Sequence, residues 1–215
     1  MKNGRVPLRT TLALSALIVA SAVAYGAWSA NPGPRFHGTT YEEVAPAPDF
    51  RLVDHDGRPV TLASYRGHPV LLFFGFTHCP DVCPTTMSRL GRVIGDLGGR
   101  AEDVRVLLVT IDPARDTPAV MKEYVRRFGP FATGLTGDSA AVAAAMAGYG
   151  AYVMPPPPTE GPAAAHGAHA PRRPGAMPHT SVVYGIDREG RLRVVISDAA
   201  TEEQTRDDVR ALARL

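Results

Sequence analysis

The sequence predicts an α/β domain in which helices flank a central mixed β-sheet. Two largely apolar runs, at 70–76 and 104–112, have the length and composition of strands that are buried on both faces of a sheet. Each run is followed by a segment in which apolar residues recur at helical spacing. Near the C-terminus two further strand-like runs surround a turn at 187–190, which is typical of an antiparallel hairpin. Strands that alternate with helices and end in a hairpin indicate a mixed sheet.

Local signals place the remaining elements. Two short strands surround an Asp56-Gly57 turn, and a helix with Asp116 or Thr117 as its N-cap carries Pro118 in its first turn. An alanine-rich helix is predicted next, and a Thr-x-x-Gln capping box opens an amphipathic helix at the C-terminus. The predicted helices cover 84–99, 117–129, 138–150 and 201–215.

Length and composition limit the classes of function. A chain of 215 residues, 45% of them hydrophobic, can form one ordinary domain plus a tail. The formal net charge is only +2, and no stripe of basic residues with interleaved aromatic residues occurs. The sequence therefore predicts no nucleic-acid partner.

The N-terminal segment has the composition of a membrane anchor. Lys2, Arg5 and Arg9 precede an uncharged stretch at 11–28, which is just long enough to cross the hydrocarbon layer as a helix. The basic flank is expected to stay in the cytoplasm, so that the rest of the chain faces the periplasm or extracytoplasmic side. A cleaved signal peptide is the alternative, because small residues near the end of the stretch offer cleavage sites.

This organisation predicts a single-pass protein of the cytoplasmic (inner) membrane. Residues 1–30 form the membrane anchor or an uncleaved signal, residues 31–47 form a tether rich in Pro and Gly, and residues 48–215 form the globular domain. Within that domain the segment at 154–178 contains eight prolines and is predicted to be a long loop.

Cys79 and Cys83 are the only cysteines in the chain, and they occur where the first buried strand meets its helix. Four residues apart at a helix start, their sulfur atoms lie on one face about one turn apart, which permits a disulfide or joint binding of one ion. A disulfide would close a very short loop and would stabilise the fold little. The helix N-terminus favours the thiolate, which is the form that binds metals and attacks disulfides. The motif predicts a thioredoxin-like fold and leaves a structural disulfide, a redox pair and part of a metal site as alternatives.

Neighbouring polar residues have simpler interpretations. His78 is expected to pack in the loop rather than to bind a metal. Asp81 is expected either to cap the following helix or to tune the site electrostatically. Asp112, Arg115 and Asp116 are expected to fix the turn between the second strand and its helix.

Three segments of the sequence carry a family resemblance. They are GFTHCPDVCPTTM at 75–87, VTIDPARDTP at 109–118 and PHTSVVYGID at 178–187. In this order and at this spacing they resemble the Sco family, also called SenC, of copper-binding thioredoxin-like proteins. The resemblance runs from about Pro48 to Leu215.

The resemblance implies a copper site and its partners. Members of the family bind copper through two cysteines and a histidine, which correspond here to Cys79, Cys83 and His179. They deliver copper to, or reduce the thiols of, the dinuclear copper centre of cytochrome c oxidase. The implied cofactor is copper, as Cu(I), Cu(II) or both. The implied partners are the copper-bearing subunit of the oxidase or another copper chaperone, together with a thiol reductase and the membrane.

The segment before the histidine differs from the family pattern. Members commonly have Asp immediately before the histidine, where this chain has Pro178. Three side chains of the proline-rich loop form either a secondary, exposed copper site or part of a low-complexity insert. They are His166, His169 and Met177.

Two functions from different classes follow. The first is a membrane-tethered copper chaperone that supports assembly of the dinuclear copper centre of cytochrome c oxidase. The alternative is an enzyme, an extracytoplasmic thiol–disulfide oxidoreductase in which Cys79 and Cys83 form the catalytic redox pair and reduce cysteines of the oxidase or of other exported proteins. A thiol peroxidase is a third and weaker interpretation. His179 discriminates between the first two functions, because copper binding needs it and dithiol exchange does not.

Overall fold

The computed structural model describes residues 16–23, 25–26, 33–153 and 181–215. The chain forms two compact units, Met1–Arg35 and Phe36–Leu215. In the first unit residues 16–23 and 25–26 are helical, and no helix within the described ranges is long and apolar enough to cross a membrane. The remainder of the anchor predicted at 11–28 lies outside the described residues.

The second unit is built on a mixed sheet of seven strands. The strands are β1 (Leu52–Asp54), β2 (Pro59–Val60), β3 (Val70–Gly75), β4 (Arg105–Thr110), β5 (Ala132–Thr136), β6 (Val182–Ile186) and β7 (Leu192–Ser197). Their order across the sheet is β2-β1-β5-β4-β3-β6-β7. The central strands β3, β4 and β5 run parallel, and the strands on both sides of them pair antiparallel. The predicted mixed sheet is confirmed, with both buried runs at its centre.

Helices connect and cover these strands. They are α1 (Val82–Gly95), α2 (Pro118–Val125), α3 (Ser139–Gly148) and α4 (Glu202–Leu212), with 3-10 turns at Leu62–Tyr65 and Gly98–Asp103. The side chains of Thr117 and Asp138 cap α2 and α3 by accepting hydrogen bonds from backbone N–H groups of the first turn. Thr201 and Gln204 form the predicted capping box at the start of α4.

The sheet contains a strand that the sequence pattern does not predict. β5 lies between β1 and β4. It reads ATGLT, in which only Ala132 and Leu135 are strongly apolar, so its hydrophobic signal is too weak to mark a strand. Gly134 allows α2 to pack closely, since a Cβ at this position would lie 2.9 Å from the Cβ of Met121. β5 is therefore an element that the sequence pattern misses.

Two hydrophobic clusters cover the two faces of the sheet. Side chains alternate along β3, so that Leu71 and Phe73 join one cluster and Leu72 and Phe74 join the other. Helices α1, α2 and α4 supply the first cluster, and α3 with the β1 strand supplies the second. Cys83 belongs to the first cluster, so the candidate site is attached to the face that three helices cover.

Residues 36–47 lie along β7, the edge strand of the sheet. Thr39 and Val195 exchange two backbone hydrogen bonds of 3.0 and 2.8 Å. The buried carboxylate of Asp208 on α4 accepts two backbone N–H groups at the start of the segment, at 2.6 and 2.9 Å. Much of the stretch predicted as a tether is thus in contact with the domain.

Candidate metal centre

The two cysteines lie at the junction between β3 and α1. β3 ends at Gly75 and α1 begins at Val82, so Cys79 lies in the connecting loop and Cys83 in the first turn of the helix. The backbone N–H of Cys79 donates to the carbonyl of Phe76 at 3.2 Å, which turns the loop back over the end of the strand. Because β4 runs parallel to β3, the loop that follows β4 leaves the sheet at the same edge.

The cysteine side chains are adjacent but differ in exposure. Cys83 is fully buried, whereas Cys79 is partly exposed. The backbone N–H of Cys83 donates to the Sγ atom of Cys79 at 3.3 Å, so that the first turn of α1 holds this sulfur. Both residues are thiols in this structure. Cys79 is therefore the more accessible residue of the pair.

The surroundings of Cys83 favour its protonated form. Its hydrogen bond with the Cys79 side chain and its burial both raise the pKa of the Cys83 thiol. The expectation that the helix N-terminus favours the thiolate is therefore wrong for this residue, because its hydrogen bond with Cys79 and its burial both favour the neutral thiol. A metal cation reverses this preference, since a coordinating thiol is deprotonated outright.

Gly75 makes room for the buried sulfur. A Cβ at this position would lie 2.9 Å from the Sγ atom of Cys83 and 3.0 Å from the ring of Phe73. Both neighbours are fully buried and have no free space into which to move. The close approach of the sulfur to the strand therefore requires glycine.

The buried carboxylate of Asp116 joins the cysteine loop to the loop after β4. It accepts hydrogen bonds from the backbone N–H of Thr77 at 3.0 Å and from the Thr77 hydroxyl at 2.5 Å. The hydroxyl of Thr110, at the end of β4, donates to the same carboxylate at 2.6 Å. Asp116 is 0% exposed. It fixes its own turn, as predicted, and it also fixes Thr77, two residues before Cys79.

His78 and Asp81 flank the first cysteine. Nδ1 of His78 lies 3.0 Å from the Thr77 hydroxyl and 3.9 Å from the Asp116 carboxylate, which agrees with packing in the loop. Asp81 occupies the N-cap position of α1, but its side chain makes no hydrogen bond to the backbone of the helix. Its carboxylate instead lies 3.5 Å from the Thr85 hydroxyl, so the capping alternative is wrong.

A groove of about 480 Å³ opens beside the cysteine loop. Thr77 and His78 form one wall, and α2 with the turn after it forms the other. The residues of the second wall are Ala119, Val120, Glu123, Tyr124 and Arg127. The surface beside Thr77 and His78 is thus concave and mainly apolar.

The described residues contain two of the three predicted ligands. Cys79 and Cys83 are brought together, and His179 lies outside the described residues, as do the predicted secondary ligands His166, His169 and Met177. Within the part of the chain that the structure describes, no group of three or more His, Cys, Asp or Glu side chains could hold a metal ion. The described donor set is therefore a pair of sulfur atoms.

Two residues of the site are not evident from the sequence pattern. Gly75 has a usable signal, because a glycine inside an otherwise apolar strand often marks a close approach of another group. The bond from Thr77 to Asp116 has no comparable signal, because the two residues are 39 positions apart.

Comparison with known sequences identifies the family. The sequence model of the SCO1/SenC family matches residues 39–214. The chain belongs to the SCO1/SenC family. It is 34% identical over 212 residues to the mitochondrial SCO2 homologue of Bos taurus, a match that covers 94% of this chain and 75% of the relative. It is 34% identical over 164 residues to the human SCO2 homologue, a match that covers 75% of this chain and 58% of the relative.

Solved Sco structures share the fold. ScoI of Bradyrhizobium japonicum, solved with copper bound, is 35% identical, has a TM-score of 0.63 and covers 78% of this chain and 99% of its own. Apo Sco1 of Thermus thermophilus is 34% identical, has a TM-score of 0.68 and covers 86% of this chain and 100% of its own. The predicted thioredoxin-like fold, with the cysteine motif at the end of a central strand, is thereby confirmed.

Proposed function

We propose that the chain is a copper chaperone that supports assembly of the dinuclear copper centre of cytochrome c oxidase. The observation that carries the proposal is the adjacent Cys79–Cys83 thiol pair, in a family with members that have been solved with copper bound. Another family member is described as belonging to cytochrome c oxidase assembly proteins.

The donor pair fits copper. Two thiolate sulfurs about one helical turn apart are soft ligands, which select Cu(I) among the metal ions that a protein meets outside the cytoplasm. Binding releases the thiol protons of Cys79 and Cys83 to water, so copper affinity increases with pH. Because the pKa of Cys83 is raised, this dependence extends through the neutral range.

His179 is the third ligand in this proposal. Val183 of β6 pairs with Phe73 of β3 in antiparallel register, so β6 begins beside the strand end from which the cysteine loop leaves. His179 precedes the first residue of β6, Val182, by three positions. Three residues span at most about 10 Å, a length that is compatible with the proposed ligand role. A neutral imidazole beside two thiolates suits both Cu(I) and Cu(II).

Copper transfer would proceed by exchange of ligands. Thiolates and imidazoles of the acceptor replace Cys79, Cys83 and His179 one at a time, beginning at the exposed Cys79 sulfur. The acceptor is the copper-bearing subunit of the oxidase or another copper chaperone. A disulfide between Cys79 and Cys83 cannot bind copper in this way, so a thiol reductase must keep the pair reduced.

The proposal includes attachment to the cytoplasmic membrane, with the domain on the periplasmic or extracytoplasmic side. It rests on the basic N-terminal flank and the uncharged stretch at 11–28. Residues 1–30 serve as the anchor, residues 31–47 as the connection, and residues 48–215 as the copper-binding domain. Attachment raises the effective concentration of the chaperone near a membrane-bound acceptor.

A thiol–disulfide oxidoreductase is the second candidate. The observation that favours it is the N–H donated by Cys83 to the Cys79 sulfur, which stabilises a thiolate at the exposed position. Cys79 would attack a substrate disulfide, and Cys83 would then resolve the mixed disulfide. The substrate gains two thiols, the pair becomes a disulfide, and the reductase restores the pair.

A transfer experiment with two arms separates the candidates. In the first arm the copper-loaded full chain meets a reduced copper-binding domain of the oxidase subunit, and copper on each protein is measured. In the second arm the reduced, copper-free chain meets the same domain with its cysteines joined as a disulfide, and free thiols are measured. The variants are Cys83→Ser and His179→Ala.

A chaperone is expected to pass copper in the first arm, and both variants are expected to abolish that transfer. Retention of copper transfer by His179→Ala would overturn the proposed ligand set. Activity only in the second arm, lost in Cys83→Ser and kept in His179→Ala, would establish the oxidoreductase instead.

A further inference from the structure

Residues 36–47, here called the edge segment, enter the domain at the edge of the sheet where the cysteine loop lies. β7 pairs antiparallel with β6, which pairs antiparallel with β3, so β7 and β3 end at this same edge. Near the end of β7, Thr39 of the edge segment bridges to Val195. Before the start of β7, Pro46 bridges to Arg191, so the edge segment runs antiparallel to β7. The chain therefore reaches the domain at the cysteine edge and arrives at the opposite edge by residue 47.

The carboxylate of Asp208 holds the first residues of the edge segment. This side chain of α4 is 1% exposed and accepts the backbone N–H groups of His37 and Gly38 at 2.6 and 2.9 Å. Within the described ranges, these are the only hydrogen bonds to the carboxylate. A buried carboxylate is costly unless donors replace the lost water, and hydrogen bonds to a charged group are stronger than neutral ones. Asp208 is therefore a strong attachment point for the chain.

Gly38 allows the edge segment to approach the sheet closely. A Cβ at this position would lie 2.6 Å from the carbonyl oxygen of Val195 and 2.7 Å from Cγ2 of Val194. The first of these is a backbone atom, and the second belongs to a fully buried side chain that has no free space into which to move. Two positions before the glycine, Phe36 packs against the hydrophobic cluster that contains Cys83. The entry of the chain is thus fixed by a buried acceptor, a glycine and an apolar side chain.

The turn after β7, beside this entry point, is joined to the helix that carries Cys83. The guanidinium group of Arg89 on α1 donates to the backbone carbonyls of Asp198 and Ala200 at 3.0 and 2.7 Å. The edge segment is also the third neighbour of β3, after β6 and β7. Neighbouring strands lie about 4.8 Å apart, so about 15 Å separates the edge segment from β3. The structure therefore holds the entry of the chain at a set position near the cysteines.

We propose that Asp208 and Gly38 are positioning residues for copper transfer, because they hold the membrane tether at the cysteine edge of the domain. The inference rests on the proposed copper function and membrane attachment. With the edge segment bound, only residues 29–35 connect the uncharged stretch to the domain. With it released, residues 29–47 form the connection, and the tether leaves the domain from the opposite edge.

The length of this connection affects encounters with a membrane-bound acceptor. The effective concentration of a tethered group falls with about the −3/2 power of the tether length. Release of the edge segment more than doubles that length, so it lowers the effective concentration of the cysteine pair near the acceptor by about fourfold. Binding of copper itself does not depend on the tether.

The test uses two pairs of variants in the full chain. Asp208→Asn is compared with Asp207→Asn, because an amide offers one acceptor oxygen and opposes the second N–H with its own donors. Asp207 is half-exposed and lies 3.5 Å from Nε2 of His37, so its variant removes the same charge beside the same segment. Gly38→Ala is compared with Gly33→Ala, since a Cβ on Gly33 meets no atom within 4 Å.

Two quantities are measured with the chain reconstituted in phospholipid vesicles. Hydrogen exchange of the Thr39 N–H, which donates to the Val195 carbonyl at 3.0 Å, reports release of the edge segment. Copper transfer is measured to the copper-bearing oxidase subunit in the same vesicles and, separately, to the soluble copper-binding domain of that subunit.

The two substitutions at the attachment point are expected to change one kind of transfer only. In Asp208→Asn and Gly38→Ala we expect exchange at Thr39 to be about tenfold faster or more, as for loss of a hydrogen bond to a charged group. Transfer to the embedded subunit becomes about fourfold slower, whereas transfer to the soluble domain and copper affinity stay unchanged. Asp207→Asn and Gly33→Ala behave as the unsubstituted chain in every measurement.

Four outcomes contradict the inference. Unchanged exchange at Thr39 in both variants overturns it and leaves the proposed function intact. Faster exchange without slower transfer to the embedded subunit shows that the attachment does not serve transfer. Equal slowing toward both acceptors also overturns it, because that result indicates damage to the copper site. An unsubstituted chain that passes copper to neither acceptor overturns the proposed function and the inference together.

Discussion

Two buried carboxylates in this protein are equally inaccessible but have different partners. Asp187, directly after β6, is 1% exposed and accepts hydrogen bonds from the guanidinium groups of Arg191 and Arg193 at 2.9 and 3.1 Å. Asp116, in the loop after β4, is 0% exposed and is held by Thr77 and Thr110. Within the described ranges no lysine or arginine forms an ion pair with Asp116.

The difference separates a carboxylate that stabilises a turn from one that shapes a site. The partners of Asp187 lie within six positions along the same hairpin, and two cations neutralise it. The partner Thr77 lies 39 positions from Asp116 and belongs to the cysteine loop. An anion without a paired cation is costly in a protein interior. The hydrogen bond with Cys79 and burial are the main causes that raise the pKa of Cys83, and the charge of Asp116 adds a smaller contribution. Its charge favours binding of a cation there.

Removal of the two carboxylates is expected to give the largest effects. Asp116→Ala leaves one buried donor, on Thr110, and two partly buried donors, on Thr77, without their acceptor. This lowers the free energy of unfolding by about 3 kcal/mol or more. Copper affinity falls by about 10- to 100-fold because the cysteine loop loses its anchor. Asp187→Ala also destabilises the fold but is expected to keep copper affinity.

Chemical denaturation and chelator competition measure the two quantities. The two affinities are corrected for the fraction of folded protein. If copper affinity then falls equally in Asp116→Ala and Asp187→Ala, the two carboxylates do not differ in role.

Substitution of a glycine near each carboxylate is expected to have a smaller effect. Gly75→Ala places a Cβ 2.9 Å from the Cys83 sulfur, and such overpacking costs about 1–3 kcal/mol and displaces the ligand. Gly190→Ala, in the turn that Asp187 closes, has a backbone φ of 80° and costs about 1–2 kcal/mol through strain. We expect weaker copper binding only in Gly75→Ala. Unchanged affinity in that variant would mean that the Cys83 position is not critical.

The pH dependence of stability tests the buried thiol. The pKa of Cys83 is raised above its ordinary value of 9.0, and burial raises the pKa of Tyr65 and of Tyr184 from 10.0 to about 12. The folded chain therefore keeps protons that the unfolded chain loses, and stability falls as pH rises from the unfolded values toward the folded ones. Denaturation of the metal-free chain measures its free energy of unfolding at each pH. The contribution of these groups to that free energy should be constant below pH 9 and should decline above it. A decline in Cys83→Ala that still begins at pH 9 would contradict this assignment.

Charge removal without loss of shape gives the smallest expected effect. In Asp116→Asn the amide oxygen can accept from the Thr77 N–H and from Thr110, and the amide NH2 can donate to the Thr77 hydroxyl. The pKa of the Cys83 thiol is expected to decrease because a nearby negative charge is gone, and thiol alkylation at fixed pH should be faster. Asp187→Asn should leave the rate unchanged. Identical alkylation rates in the two variants would show that the charge of Asp116 does not affect the Cys83 thiol.

Elements with local signals are predictable from the sequence. The caps of α2, α3 and α4 and the two central strands occur where hydrophobic spacing and capping residues indicate. β5 is not predictable in this way, because its position depends on pairing with β4 and β1 and its own residues are short of hydrophobic signal.

The candidate site likewise contains features with a local sequence signal and features that depend on tertiary packing. The cysteine pair follows from one motif at a strand–helix junction, whereas the bond from Thr77 to Asp116 depends on how two loops pack. The expected lowering of the Cys83 pKa is wrong for a related reason, since the hydrogen bond with Cys79 and burial, which raise that pKa, are not revealed by position in a helix.

X-ray absorption spectroscopy of the copper-loaded full chain tests the central claim most directly, because it counts the atoms bound to copper. The account predicts two sulfur ligands and one imidazole nitrogen per copper, one sulfur in Cys79→Ser, and no imidazole contribution in His179→Ala. A copper ion bound only by nitrogen and oxygen atoms, or one whose imidazole signal persists in His179→Ala, would contradict the assignment of Cys79, Cys83 and His179 as the metal centre.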